Sequence, residues 1–147
     1  ILNSLGLQYG VVKNSLEEQD GLYCVYVGIA VRESVKSRLN WHINQQNTVS
    51  SVKSGFLSTL RQSLAGILNV PMTDRVAVNA FMDELYVSYR GFECPVKSDQ
   101  AKQEAHDWEN AKLKSGNLYV LNIQGNSSSA PCKTLKQLRK VARTKAL

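Results

Sequence analysis

Long apolar runs, paired cysteines and clustered histidines are all missing from this sequence, and each gap closes off a class of function. No stretch approaches the ~20 apolar residues that span a bilayer, so a membrane protein is not expected. The first ten residues, ILNSLGLQYG, carry neither a basic segment nor a cleavage signal, and they do not open on Met, as expected of a piece of a longer protein. Cys24, Cys94 and Cys132 lie far apart and never form a CxxC pair, which argues against a zinc ribbon or a disulfide framework. They read as small buried hydrophobes in an intracellular, reducing setting, cytoplasmic or nucleoid-associated. The two histidines are too distant in sequence to form a local ligand pair, and no HExxH, GxxxxGK(S/T) or GxSxG occurs.

Acid is also missing from one end. From Lys133 onward, KTLKQLRKVARTKAL holds Lys133, Lys136, Arg139, Lys140, Arg143 and Lys145 with no carboxylate, and these six cations equal the net charge of +6. Leu135, Leu138 and Ala142 recur at helical spacing, so the segment at about 133–147 is expected to be a helix with one face docked and the other basic. Such a face suits a polyanion, nucleic acid before membrane. The alternative is a solvated helix end that aids solubility.

Apolar residues make up 43% of the 147, enough for one hydrophobic core, so a single domain over 1–147 is expected. LQYGVV (7–12) and LYCVYVG (22–28) read as two strands of a hairpin whose linker ends in an Asp-Gly turn signal. A helix follows from Ser34 with Val35, Leu39 and Ile43 as its core stripe, then the loop SSVKSG and a helix buried through Phe56, Leu60, Leu64 and Ile67. Thr73 or Asp74 caps a third helix, LYVSYR (85–90) alternates as a strand, and Ser98 or Asp99 caps a fourth helix running to about Lys114. LYVLNIQGNSSSAPC is extended before dissolving into a polar turn. The expected fold class is α/β (α+β): a small three-stranded antiparallel sheet flanked by helices.

Chemistry is sought where polar side chains sit on faces that should be apolar. Arg38 and His42, one helical turn apart, flank the Val35 stripe. Glu109 lies one turn after Ala105 and one before Leu113, at the edge of a buried face where charge is costly unless it is paired or binds a metal. Glu104, its competitor, neighbours Gln100 and Gln103 in a polar turn. Tyr9 and Tyr26 sit in the hairpin, where covered hydroxyls need partners. Arg61 is a charge on an otherwise apolar helix, read either as a phosphate contact or as a surface residue.

In this order, YVG at a strand end, then Arg38, His42, a later helix Glu and an Asn beyond it resemble the GIY-YIG nuclease family. FLSTLRQSLAGIL, NAFMDELYVSY and DWENAKLKSGNLYVLN are similar to the STLR, WM, WE and PLNLxxN segments of one bacterial branch of that family. The resemblance implies a divalent-metal-dependent DNA endonuclease. In it Tyr26 and Gly28 stand at the YIG half and Tyr9 at the GIY tyrosine. Arg38 and His42 surround the scissile phosphate, Glu109 holds Mg²⁺ (or Mn²⁺), and Asn122 braces the site. Many relatives carry Lys where Ile29 stands here. Tyr9 or Tyr26 would take the water proton with His42 positioning or assisting, and Arg61, Lys136, Arg139, Lys140 and Arg143 would contact DNA. A non-catalytic nucleic-acid-binding module is the alternative on the same fold. A protein-interaction domain that meets an acidic partner is a third.

Overall fold

A computed structural model describes residues 1–95, 97–123 and 130–147. Asp20 and Gly21 both adopt positive φ, 53° and 78°, the backbone of a two-residue turn whose twist matches paired strands. They close a short antiparallel hairpin of β1 (Glu18–Gln19) and β2 (Leu22–Tyr23), in register Glu18 opposite Tyr23. The turn signal therefore works, but the strand before it is not 7–12. That segment forms a single turn, α1 (Tyr9–Val12), followed by a 3₁₀ turn at Lys13–Ser15.

Beyond β2 the chain stays extended without a neighbouring strand. Cys24 donates its N–H to the Glu17 carbonyl at 2.8 Å, and the Val25 carbonyl accepts from the Leu121 N–H at 2.9 Å. Buried backbone groups must find partners, and here loop backbone supplies them in place of a ladder.

The helices follow their caps. Ser34 accepts from the Ser37 N–H and opens α2 (Val35–Asn44); Thr48 opens α3 (Val49–Lys53), where a loop was expected; Ser58 opens α4 (Thr59–Ile67). Asp74 opens α5 (Arg75–Met82) and Ser98 opens α6 (Asp99–Leu113), which ends just before Gly116 at φ 88°. A short side-chain oxygen satisfying one of the orphan first-turn N–H groups is the common device. The last helix, α7, spans Ala130–Thr144. Among the described residues no helix is long and apolar enough to cross a membrane.

The core centres on α4. Leu60, Leu64, Ala65 and Ile67 are buried with Val52, Leu57, Met72, Val78, Val120, Leu121, Leu135 and Ala142. α4 packs most extensively on α7, and Gly66 makes this possible: a Cβ there would lie 2.9 Å from the Arg139 nitrogen.

Several expectations need correcting. The sheet has two strands among the described residues, not three, because 85–90 forms no regular element and leaves Tyr86 and Tyr89 about four-fifths exposed, at 81% and 78%. Alternating apolar residues form a strand only where an edge is available to pair with. On α2 the buried residue is His42, whereas Ile43 is half exposed. Phe56 precedes α4 and is mostly exposed, packing its ring edge against Trp41 instead. Cys132 is buried, but Cys24 and Cys94 are only partly covered. The polar turn expected after Asn122 falls on residues 124–129, outside the described residues.

Candidate active site

The tripeptide Tyr26-Val27-Gly28 is held by one side chain. Asn122 accepts the Val27 N–H on Oδ1 and donates from Nδ2 to the Val27 carbonyl, both at 2.8 Å. The amide thus satisfies both backbone groups of a residue that lacks a strand neighbour. Its polar atoms are directed at Val27, so Asn122 fixes the backbone of the site. Gly28 has a physical reason too: the Tyr26 ring folds back over it, with Cε1 only 3.1 Å from where a Cβ would stand.

Tyr26, Val27, Thr59, Glu109, Leu121, Asn122, Ile123 and Arg139 line a cleft of about 90 Å³. The Tyr26 hydroxyl lies 3.5 Å from Thr59 Oγ1. Its ring meets His42 edge-on, with centroids 6.3 Å apart and planes at 79°. His42 Nδ1 is 3.0 Å from Ser58 Oγ, which also accepts from the Arg61 N–H. Burial, reinforced by Arg38 and Arg61, pushes His42 down to about 4. The imidazole is neutral at physiological pH and a weak proton acceptor.

Glu109 meets the cleft from α6. Burial raises its carboxyl above the ordinary range, while His106 and Arg38 pull the other way. Among the described residues Glu109 has no hydrogen-bond donor or salt-bridge partner. Glu104, by contrast, accepts from Gln100 Nε2 at 2.9 Å on the exposed side of the helix. A partly buried carboxylate left without a protein donor is free to take a metal ion as its partner. Among the described residues no group of three or more His, Cys, Asp or Glu side chains converges, so a metal would rest on this one carboxylate. That donor set fits Mg²⁺, which keeps most of its waters and takes few protein ligands.

Arg38 stands beside the cleft. Its Cζ lies 4.6 Å from the centroid of the Trp41 ring, and its Nη1 is 3.7 Å from Glu33, both ends of this ion pair about one-third exposed. Such a pair is weak, which leaves the guanidinium available.

A scan against family models matches residues 7–141 to the GIY-YIG catalytic domain. The chain belongs to the GIY-YIG family. A search of curated proteins and a search of solved structures each found no match. GIY-YIG domains are nuclease-type domains and generally depend on a divalent metal.

Within this GIY-YIG domain the expected residues do not all converge. Tyr26, Glu109 and Asn122 share the cleft, with His42 against the Tyr26 ring and Arg38 close enough to act electrostatically on His42 and Glu109. Tyr9 is elsewhere: it starts α1, is half exposed, and its hydroxyl lies 2.5 Å from that of Tyr23. Gly21-Leu22-Tyr23 differs from Gly-Ile-Tyr by one residue and stands just before Tyr26-Val27-Gly28. The two candidates for the first tyrosine of the family motif thus touch each other. The bond to Tyr9 pushes Tyr23 up to about 12, which disfavours it as a base.

Arg61 is placed where no phosphate reaches it, contrary to both sequence expectations. It is fully buried. Nε donates to Asn47 Oδ1 at 2.8 Å, Nη2 to Asn79 Oδ1 at 2.5 Å, and Nη1 to the His42 and Ile43 carbonyls at 2.6 and 3.1 Å. It caps the C-terminal end of α2 from the inside, where a cation complements the helix dipole, and so sets the depth of His42.

The basic helix divides. Lys136 and Lys140 are exposed, Arg143 donates to the Lys53 carbonyl at 3.1 Å, and Arg139 lines the cleft. Spacing alone had assigned all four to one basic face.

Proposed function

We propose that this domain is a divalent-metal-dependent DNA endonuclease, acting inside the cell and hydrolysing phosphodiester bonds at the Tyr26 cleft. The observation that carries the reading is Glu109, a partly buried carboxylate without a protein donor among the described residues, in the same cleft as Tyr26 and Arg139. Glu109 would hold Mg²⁺ or Mn²⁺, which when bound neutralises charge on the phosphate and the departing oxygen.

The chain's own groups do the rest. Tyr26 would relay the proton of the attacking water, while His42, a weak base whose ring packs edge-on against Tyr26, positions that ring. Ser58 Oγ holds the His42 ring through Nδ1. Arg38 stabilises charge that develops on the phosphoryl oxygens, since a fork of N–H donors matches them better than it matches the ground state. Asn122 and Gly28 keep the Tyr26 ring in place. Lys136 and Lys140 give DNA affinity through exposed phosphate contacts.

The deciding experiment incubates supercoiled plasmid with the protein in Mg²⁺, in Mn²⁺ and in EDTA. Metal-dependent nicking is expected. Salt-sensitive binding without nicking under any metal would make the domain a DNA-binding module instead, and no DNA affinity at all would point to a protein partner.

A further inference from the structure

Of the two arginines on α7, Arg143 is turned to the Lys53 carbonyl and Arg139 to the cleft. The contact with Gly66 explains the second placement. A Cβ at position 66 would lie 2.9 Å from the Arg139 nitrogen and 3.0 Å from the Leu138 carbonyl carbon, so the missing side chain lets α7 press its backbone onto α4 at this residue. Arg139 therefore leaves from a fixed point and lines the cleft opening with Tyr26, Glu109 and Asn122.

Its guanidinium is under-used. Nη2 donates to Gln62 Oε1 at 2.5 Å, and among the described residues no carboxylate lies within 4 Å of it. Burial lowers its pKa, yet an arginine stays protonated in proteins. Its remaining N–H donors are not sealed in the core but open toward the cleft, where an anion can replace water as their acceptor. Glu109 shares the cleft but is not its ion-pair partner, so the two charges leave room for a group that answers both.

We propose that Arg139 is a second phosphate-holding residue of the cleft, gripping the non-bridging oxygens of the scissile phosphodiester together with Arg38. It differs from Lys136 and Lys140, which touch phosphates that are not cut. The proposal rests on the nuclease reading above.

The test measures single-turnover cleavage at saturating DNA and Mg²⁺ for the wild type, Arg139→Ala, Arg139→Lys and Arg139→Gln, each with its thermal melting midpoint. The expected result is a loss of about 10²-fold for Arg139→Ala, as for removal of one electrostatic stabiliser. Guanidinium at millimolar concentration should restore part of that rate, and Arg139→Lys should lose less. Arg139→Gln keeps the packing of the stem and serves in place of Arg139→Ala if the latter melts early. A folded variant that cuts at the wild-type rate would overturn the proposal, as would a loss that neither guanidinium nor lysine repairs, which would mark a structural role. If the wild type cuts nothing in any metal, it is the nuclease reading that fails. Arg139 is then judged by titration with inorganic phosphate, where weaker binding by Arg139→Gln than by the wild type supports the anion site and equal binding removes it.

Discussion

Arg61 and Arg139 both sit on helices that cross at Gly66, and both have their charged forms opposed by burial. Their donors, however, have different fates. Arg61 spends its guanidinium on Asn47, Asn79 and two carbonyls at the end of α2. Arg139 has Gln62 and an open cleft. A buried cation whose donors end on neutral protein acceptors is part of the architecture. A cation held at a cleft with donors to spare is ready for a ligand. Charge does not separate the two cases; depth and the list of acceptors do, Arg61 being fully buried and Arg139 only partly.

The comparison is sharpened most by removing the other charge of the cleft. Glu109→Gln keeps the shape and takes away the only cleft carboxylate among the described residues. Metal-dependent cleavage should fall by several orders of magnitude. Stability should not fall, because burial already opposes the charged form and no protein donor would be orphaned. Cleavage rate and melting midpoint, measured together, check both halves. A variant that cuts normally would move the metal elsewhere.

Arg61→Met tests the architectural side. It leaves the buried acceptors on Asn47 and His42, and the partly covered ones on Asn79 and Ile43, without their donor. A loss of about 3 kcal/mol or more is expected from urea unfolding. The surviving folded fraction should bind DNA with an unchanged salt dependence, since Arg61 cannot touch a phosphate. A stable variant with a flatter salt slope would reverse the assignment of the two arginines.

Arg38→Ala falls between them. It removes a cation about one-third exposed whose protein partner, Glu33, is a weak one. The expected effect is about 10²-fold on turnover with little change in DNA affinity or melting. An effect confined to affinity would place Arg38 among the surface contacts.

The same contrast shows what could be learned from the chain alone. Local signals were legible: Asp20-Gly21 gave the hairpin turn, and Ser34, the pair Thr73 or Asp74 and the pair Ser98 or Asp99 marked helix starts to within a residue, because a cap needs only its own first turn. The spacing of Arg38 and His42 was also local. Signals that depend on distant partners were not. His42 faces inward because Arg61, nineteen positions along the chain, donates to its carbonyl. Arg139 reaches the cleft because Gly66 admits its backbone, and neither fact leaves a mark within a helical turn. The strand expected at 85–90 failed for a related reason: alternation prepares a segment to pair but does not supply the edge. Tyr9 was placed by the order of a family motif, and Gly21-Leu22-Tyr23, one residue from Gly-Ile-Tyr, is a second match to the same half of that motif.

His42 links the two regions, since Arg61 fixes it and the cleft uses it. Its pKa is lowered to about 4 by burial, Arg38 and Arg61, from about 6.5 in the unfolded chain. Between those values the unfolded state binds the extra proton, so stability falls as pH drops from about 6.5 to about 4. One proton limits the slope to at most about 1.4 kcal/mol per pH unit. His42→Gln should flatten that part of a stability–pH curve measured by urea unfolding. An unchanged curve would mean that carboxylates alone set the acid limb.

The smallest effect is expected on the exposed face of α7. Lys136 and Lys140 project into solvent and form no salt bridge with the described residues, so replacing both with alanine should leave melting within about 0.5 kcal/mol of the wild type. If each neutralises one DNA phosphate, the slope of log affinity against log salt should flatten by roughly two, nearly one per lost contact. At low salt this weakens binding, but turnover at saturating DNA should stay at the wild-type level, because these phosphates are not the ones cut. The double variant and Arg139→Lys thus move different observables, affinity for one and rate for the other. An unchanged salt slope in the folded double variant would leave the lysines as solubilising charge and confine DNA contact to the cleft and its surroundings.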